Sequence, residues 1–157
     1  MSVLSWFAVY CAYRAEFKVE EALREMGFDA YCPTETKWHR EHRIRRIVRW
    51  PLLPGYVFTG LEPDAHGDLP FPAVMAIEGV VRIIGFGDKP MRLRYDPPAD
   101  DDETRPLTIG EIRAMEEAGG FDFTQDRIVA EKASKFARKS FSSFSELALA
   151  LSETEAA

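Results

Sequence analysis

The chain has 157 residues, 46% of them hydrophobic and 12% aromatic, with 20 Lys and Arg against 26 Asp and Glu for a formal net charge of −6. This length and apolar content predict one domain, or one domain with an appendage, and exclude a chain that is disordered throughout. No run approaches the roughly 18 to 20 consecutive apolar residues of a membrane-spanning helix. The N-terminal residues 1–13 lack the positive charge and small-residue cleavage site of a secretory signal, so no membrane association is expected. Two cysteines, Cys11 and Cys32, are too few for the disulfide framework of a small secreted domain and fit a reducing cytoplasm. Taken as a total, the negative charge argues against a nucleic-acid binder. Its distribution argues otherwise. Residues 37–50 hold Lys37, Arg40, Arg43, Arg45, Arg46 and Arg49 against Glu41 alone, a net of +5 that leaves −11 for the remainder. A basic arm on an acidic body presents two electrostatic surfaces.

In chain order, residues 6–13 are apolar on both alternating faces, with Trp6, Ala8 and Tyr10 on one and Phe7, Val9 and Cys11 on the other. That predicts a central strand covered on both sides. Ala15, Val19, Ala22, Leu23 and Met26 then recur at helical spacing, and Gly27 stands where a left-handed C-terminal cap is wanted. Residues 28–32 form a short strand ended by Pro33, and another follows the basic arm over 56–61, introduced by Pro51, Pro54 and Gly55. Residues 62–72, with Pro63, Gly67, Pro70 and Pro72, are loop, with a short helix starting at Pro72. Residues 80–86 form a fourth strand, and the acidic, proline-containing run 96–104 reads as a surface loop. Thr108 and Glu111 fit a capping box for a helix through Ala118, although Gly110 weakens it.

The order strand, helix, strand, strand, short helix, strand, helix predicts an α+β fold of the ferredoxin-like kind, with helices packed on one face of a mainly antiparallel sheet. Beyond Gly120 there is neither glycine nor proline. Val129, Ala133, Phe136 and Ala137, then Phe141, Phe144, Ala148 and Leu151, fall at helical spacings, and Ser143 with Glu146 fits a cap for the second segment. Leu147, Leu149 and Leu151 also alternate, so a strand there stays open. The expected organisation is a domain over 1–119, bearing the arm at 34–50 and the acidic loop at 96–104, followed by a helical tail over 120–157.

Residues that carry chemistry are scarce. Gly85-Phe86-Gly87 is only a fragment of a phosphate loop, followed by Asp88-Lys89-Pro90 where a helix would have to start, and no G-x-S-x-G or H-E-x-x-H motif occurs. A binding protein with no cofactor, rather than an enzyme, is expected. Cys11, Cys32, His39 and His42 are zinc-ligand types, but they lack the paired spacing of a structural site and the cysteines read as small core residues, so no metal is expected. The arm is either a hairpin kept soluble by charge or a phosphate-tracking element whose arginine forks engage phosphate oxygens while Trp38 or Trp50 stacks. Clustered arginines with flanking aromatics on an acidic protein favour the second. The run Pro51-Leu52-Leu53-Pro54-Gly55-Tyr56-Val57-Phe58 would set Tyr56 and Phe58 beside Tyr10 if the strands pair. On a face away from the helices, such a row is an exposed apolar patch of the kind that marks a protein interface.

Several of these runs, taken in order, resemble the NusG N-terminal (NGN) domain over about residues 5–118. They are Ser5-Trp6-Phe7-Ala8-Val9-Tyr10, the helix ending at Gly27-Phe28-Asp29-Ala30-Tyr31-Cys32-Pro33, the basic arm, the Pro51–Phe58 run, and Gly79-Val80-Val81-Arg82 with Gly85-Phe86-Gly87-Asp88-Lys89-Pro90. The chain resembles in particular the specialised NusG paralogues, including the RfaH-type antiterminators. The resemblance implies a transcription elongation factor, expected to be monomeric when free, whose partners are the two large subunits of RNA polymerase. It implies an apolar depression for the tip of the clamp helices at Tyr10, Leu53, Pro54, Tyr56 and Phe58, and a gate-loop contact within 68–75. It also implies contacts with upstream duplex or non-template DNA from Arg14 and Lys18 and, on the arm, from Arg40, Arg43, Arg45, Arg46 and Arg49.

Ala12, Tyr13 and Glu78 stand at positions that read sequence in RfaH-type factors, so recognition of their DNA element is not expected. The family normally continues into a KOW domain, a small glycine-dependent β-barrel that recruits Rho or the ribosome. The glycine-free tail is a poor candidate for it. Processive, antiterminating elongation without Rho recruitment is therefore the expected function. The tail is a decayed barrel, a helical hairpin shielding the depression, or a helix that docks on polymerase, and its helical spacing favours the last two. The alternative is a stand-alone DNA- or RNA-binding module that uses the arm.

Overall fold

A computed structural model describes residues 4–86, 89–97 and 105–141. Ser5–Cys11 (β1) is apolar on both faces because both are covered; Tyr10 is its one exposed residue. Glu16–Glu25 (α1) follows and ends as the sequence requires, with Gly27 at φ +88°. Next come Asp29–Tyr31 (β2), then Thr34–Glu41 (β3) and Ile44–Pro51 (β4), which together are the basic arm. Tyr56–Leu61 (β5), the short helix Phe71–Met75 (α2) and Val80–Ile83 (β6) complete the first half of the fold. The strand expected over 80–86 is divided. Ile84 donates its N–H to the Ala8 carbonyl at 2.8 Å, and Gly85–Phe86 (β7) turns away to pair with Lys89–Pro90 (β8). The backbones there lie so close that a Cβ on Gly85 would stand 1.9 Å from the Lys89 carbonyl oxygen, which only glycine permits.

The main sheet has the order β2-β5-β1-β6 and is antiparallel throughout, with the arm inserted between β2 and β5. This is the βαββαβ strand order of the ferredoxin-like fold, as the element order implied. Register puts Trp6 opposite Gly60, Ala8 opposite Phe58 and Tyr10 opposite Tyr56. With a side-chain period of two, these six face one way, and Phe7, Val9, Val57 and Leu61 face the other. The latter face is closed by Val19 and Leu23 of α1 and Val74 of α2, all of them fully buried.

The expectation that helices cover one face only does not hold. Ile109–Glu117 (α3) and Arg127–Ser140 (α4) close the second face, where Trp6, Ala8 and Phe58 are buried with Ile109, Ile112, Phe121, Ala137 and Phe141. The physical reason is that a sheet apolar on both sides must bury both. The capping box at α3 is present: Thr108 Oγ1 accepts the Glu111 N–H at 3.2 Å, and Glu111 Oε1 accepts the Thr108 N–H at 3.0 Å. Arg105 grips both oxygens of Glu111, at 2.6 and 2.9 Å, and that guanidinium holds the carboxyl below its ordinary range. Gly110 lets the helix start lie against the backbone of residue 95, where a Cβ would meet the Tyr95 carbonyl oxygen at 2.6 Å.

The tail is helical over α4, and its buried stripe matches the expected one in part. Ala133 and Ala137 pack on the core as expected, Ala130 and Ser134 are buried as well, and Val129 and Phe136 are exposed. Small residues on the inner stripe let the helix lie close to a face that Phe58 and Phe141 already fill. The segment before α4 anchors the arm: the Thr36 N–H donates to the Phe121 carbonyl at 3.0 Å and the Phe123 N–H to the Thr36 carbonyl at 2.8 Å. Most of the acidic loop expected at 96–104, and the second tail segment with Ser143 and Glu146, lie outside the described residues. No helix among the described residues is long and apolar enough to cross a membrane.

Candidate binding surfaces

The second sheet face grades from sealed to open along its length. Ala8 and Phe58 are fully buried, while the next cross-strand pair, Tyr10 and Tyr56, emerges at the end of the sheet with ring centroids 5.7 Å apart, edge to face. The Arg82 guanidinium lies 5.8 Å from the Tyr10 ring on its other side. A register irregularity between Tyr10 and Cys11 in the β1–β6 pairing marks the place where the strand bends. Of the residues expected to form one depression, Tyr10 and Pro54 are exposed and Tyr56 is half-buried. Leu53 and Phe58 are buried. Phe58 packs against Phe141 with centroids 5.8 Å apart, and both residues belong to the core that α4 completes.

Beside Tyr10 and Pro54 opens a cleft of about 710 Å³, walled by Phe17 of α1, Arg49 and Trp50 of the arm, and Arg138 of α4. Arg138 joins the arm root to the tail. Its guanidinium is paired with Glu35 and donates to the Leu52 carbonyl at 3.5 Å. Glu35 is 5% exposed and also accepts from Lys37 at 3.1 Å. Sequence reasoning missed Glu35; the signal was a lone acid two residues before a basic run. Residues 68–75 lie on the loop before α2 and on α2 itself, where Phe71 packs edge-on against Phe7 at 5.0 Å.

The arm is a regular two-stranded ribbon closed by His42 and Arg43, at φ +48° and +72°. Positive φ at both central residues is what a two-residue hairpin turn demands, and it is met here without the usual Asn-Gly. Pairing sorts the side chains. Thr36, Trp38, Arg40, Arg45, Ile47 and Arg49 share one face; Glu35, Lys37, His39, Glu41, Ile44, Arg46, Val48 and Trp50 share the other. The first face carries cations and no acid. On the second, Arg46 lies 3.9 Å from Glu41, and Lys37 is held by Glu35. Arg45 sits over the Trp38 ring at 4.6 Å and Arg49 over Phe17 at 5.8 Å. Arg14, at φ +64°, lies over the Tyr13 ring at 5.2 Å, and Lys18 is 3.8 Å from Glu78. The structure thus groups Arg40, Arg45 and Arg49, sets Arg43 at the tip and separates Arg46.

Cys11 and Cys32 are buried against the α1 side of the sheet, whereas His39 and His42 stand on the exposed arm. Burial, with Glu16 adding to it, pushes the Cys11 thiol up to about 12; burial raises Cys32 in the same direction, with Glu20 next in importance. Both thiols stay protonated at neutral pH and behave as small apolar groups. Among the described residues no three His, Cys, Asp or Glu side chains are arranged to hold a metal ion.

The fold is a ferredoxin-like α+β domain with both sheet faces covered, an aromatic corner at the end of the sheet and a cationic hairpin arm. Residues 4–97 match the family described as transcription termination factor nusG, so the chain belongs to the NusG family and carries its NGN domain. Its role is that of a transcription elongation or termination factor, and proteins of this family generally bind RNA polymerase. No individual curated protein matches the chain. Helices α3 and α4 lie beyond the matched residues.

Proposed function

We propose that the protein docks on the clamp helices of RNA polymerase through the Tyr10–Tyr56 corner, holds upstream duplex or non-template DNA with Arg14, Lys18 and the arm, and favours processive, antiterminating elongation by binding alone, without catalysis. The observation that carries this is the gradient along the second face: Tyr10 and Pro54 are exposed at the cleft and Tyr56 is half-buried beside Tyr10, while Phe58 is sealed. A helix tip is held by an aromatic corner from which water can be expelled. Leu53 and Phe58 join such a contact only when α4 withdraws, so the seated tail limits the surface on offer. The test is co-purification with polymerase of a Tyr10→Ala, Tyr56→Ala double variant. A loss of at least about tenfold is expected for a central aromatic pair, and unchanged binding removes the assignment. Phe58→Ala is unsuitable there because it reports on the core. In a terminator-readthrough reaction with purified polymerase, added protein is expected to increase readthrough.

The packing of Phe141, at the end of α4, on Phe58, in the core that also buries Leu53, favours a second reading, a regulatory module whose arm grips DNA or RNA without polymerase. Tight, steeply salt-dependent binding of the free protein to bare duplex would support it.

A further inference from the structure

We infer that the arm takes a single strand of nucleic acid along its Trp38 face. The inference rests on the nucleic-acid part of the function proposed above and narrows it to one face and one form of ligand. Two observations carry it. First, the charge of the arm is divided between its faces. Arg40, Arg45 and Arg49 share a face with no acid and make no ion pair among the described residues, whereas on the opposite face Lys37 and Arg46 are already matched to Glu35 and Glu41. Phosphates meet uncompensated guanidinium groups on one side only.

Second, three cations between the arm and the start of α1 are each layered on an exposed aromatic ring. These are Arg45 on Trp38, Arg49 on Phe17 and Arg14 on Tyr13, at 4.6, 5.8 and 5.2 Å, with Trp38 46%, Phe17 39% and Tyr13 87% exposed. Such a pair offers a π surface to a base and a charged fork to the adjoining phosphate. A duplex keeps its bases inside its own stack and would leave the rings idle, while a single strand uses ring and cation together. Trp38 and Arg49 are one register step apart on the same face, about 7 Å along the ribbon at some 3.3 Å per residue. A strand laid along the arm meets the platforms in succession.

The experiment is fluorescence anisotropy with full-length protein, using oligo(dT), oligo(U) and a hairpin duplex with the same number of phosphates. Wild type is expected to bind a single strand more tightly than the duplex, and the better of the two strands names DNA or RNA as the source. Trp38→Ala is expected to weaken single-strand binding about tenfold and to leave duplex binding within about twofold. Trp38→Phe keeps a ring and is expected to restore most of that loss, which separates stacking from damage to the hairpin. Arg45→Ala is expected to lower the single-strand salt slope by about 0.7 and to weaken single-strand binding more than Arg46→Ala, whose charge Glu41 already meets. Duplex preferred over both strands, or equal losses for Trp38→Ala and Arg46→Ala, overturns the inference. Polymerase co-purification with the same variants keeps the two ideas apart. Failure of the corner variants to lose polymerase breaks the docking proposal and leaves single-strand selectivity standing, and the converse result breaks only the inference.

Discussion

The two faces of the sheet are closed by different kinds of helix. On the first, α1 contributes Val19 and Leu23 and α2 contributes Val74, all from within the residues that match the family. On the second, α4 contributes Ala130, Ser134 and Ala137, from beyond that match, and is fastened at its end by Phe141 and at its side by Arg138. A buried leucine or valine withdraws roughly 1.5 to 3 kcal/mol of apolar surface from water, and alanine contributes much less. The first face is therefore sealed by bulk, and under α4 the second is sealed by close approach and a few polar fasteners. One cover lies within the residues that match the family, the other beyond them.

The strongest way to break that contrast is at Phe58, where β5 meets the second cover. Phe58→Ala is expected to cost about 3 to 5 kcal/mol, read from the denaturant midpoint. A loss below about 1 kcal/mol would mean that the second face is not a packed core. A sharper probe is Arg138→Ala, which strips one charged partner from the buried Glu35 and frees the Leu52 carbonyl. It is expected to cost about 1 to 3 kcal/mol, appearing as faster hydrogen exchange in α4 with α1 unchanged. Equal loss of protection in both helices would erase the distinction between the covers. The smallest expected effect lies at the start of α3. The folded Glu111 carboxyl is depressed below its ordinary value, chiefly by Arg105, so its stabilisation is complete above the unfolded carboxylate range and is lost as pH falls from about 4.5 through the folded value. Glu111→Gln is expected to remove this acid-dependent step from a thermal melt of the second face and to leave the rest of the profile intact.

What could be foreseen from the sequence follows the same division. β1, α1 and β5 carry their signals locally, in alternation, helical spacing and the glycine after α1, and their bounds fall within a residue or two of the expected ones. The α3 capping box is equally local, and even the Tyr10–Tyr56 corner follows from alternation once β1 pairs with β5. The cover over the second face was legible only in outline, from the two apolar faces of β1 and the helical spacing of the tail, and not in the residues it uses. Ile128, Val129 and Phe136 are the larger apolar residues of α4, and helical spacing turns the last two inward, yet all three are exposed and the residues buried on α4 are small. That is a property of the assembled face, carried by no segment alone. The arm divides in the same way. Its charge is plain in the sequence, but which arginines stand together depends on a register pinned by a His42-Arg43 turn that lacks the usual hairpin residues.

The attachment at Thr36 gives the arm a mechanical character. Its root is stitched on both sides of one residue to the segment 121–123, and only residues 124–126 separate that stitch from α4. On the other side of the ribbon Glu35 grips Arg138 in the last turns of the same helix. A ligand tugging on the long free end therefore pulls on a short lever whose fulcrum is the tail helix at both of its ends. Force on the ribbon reaches the sheet's second cover without passing through a slack linker.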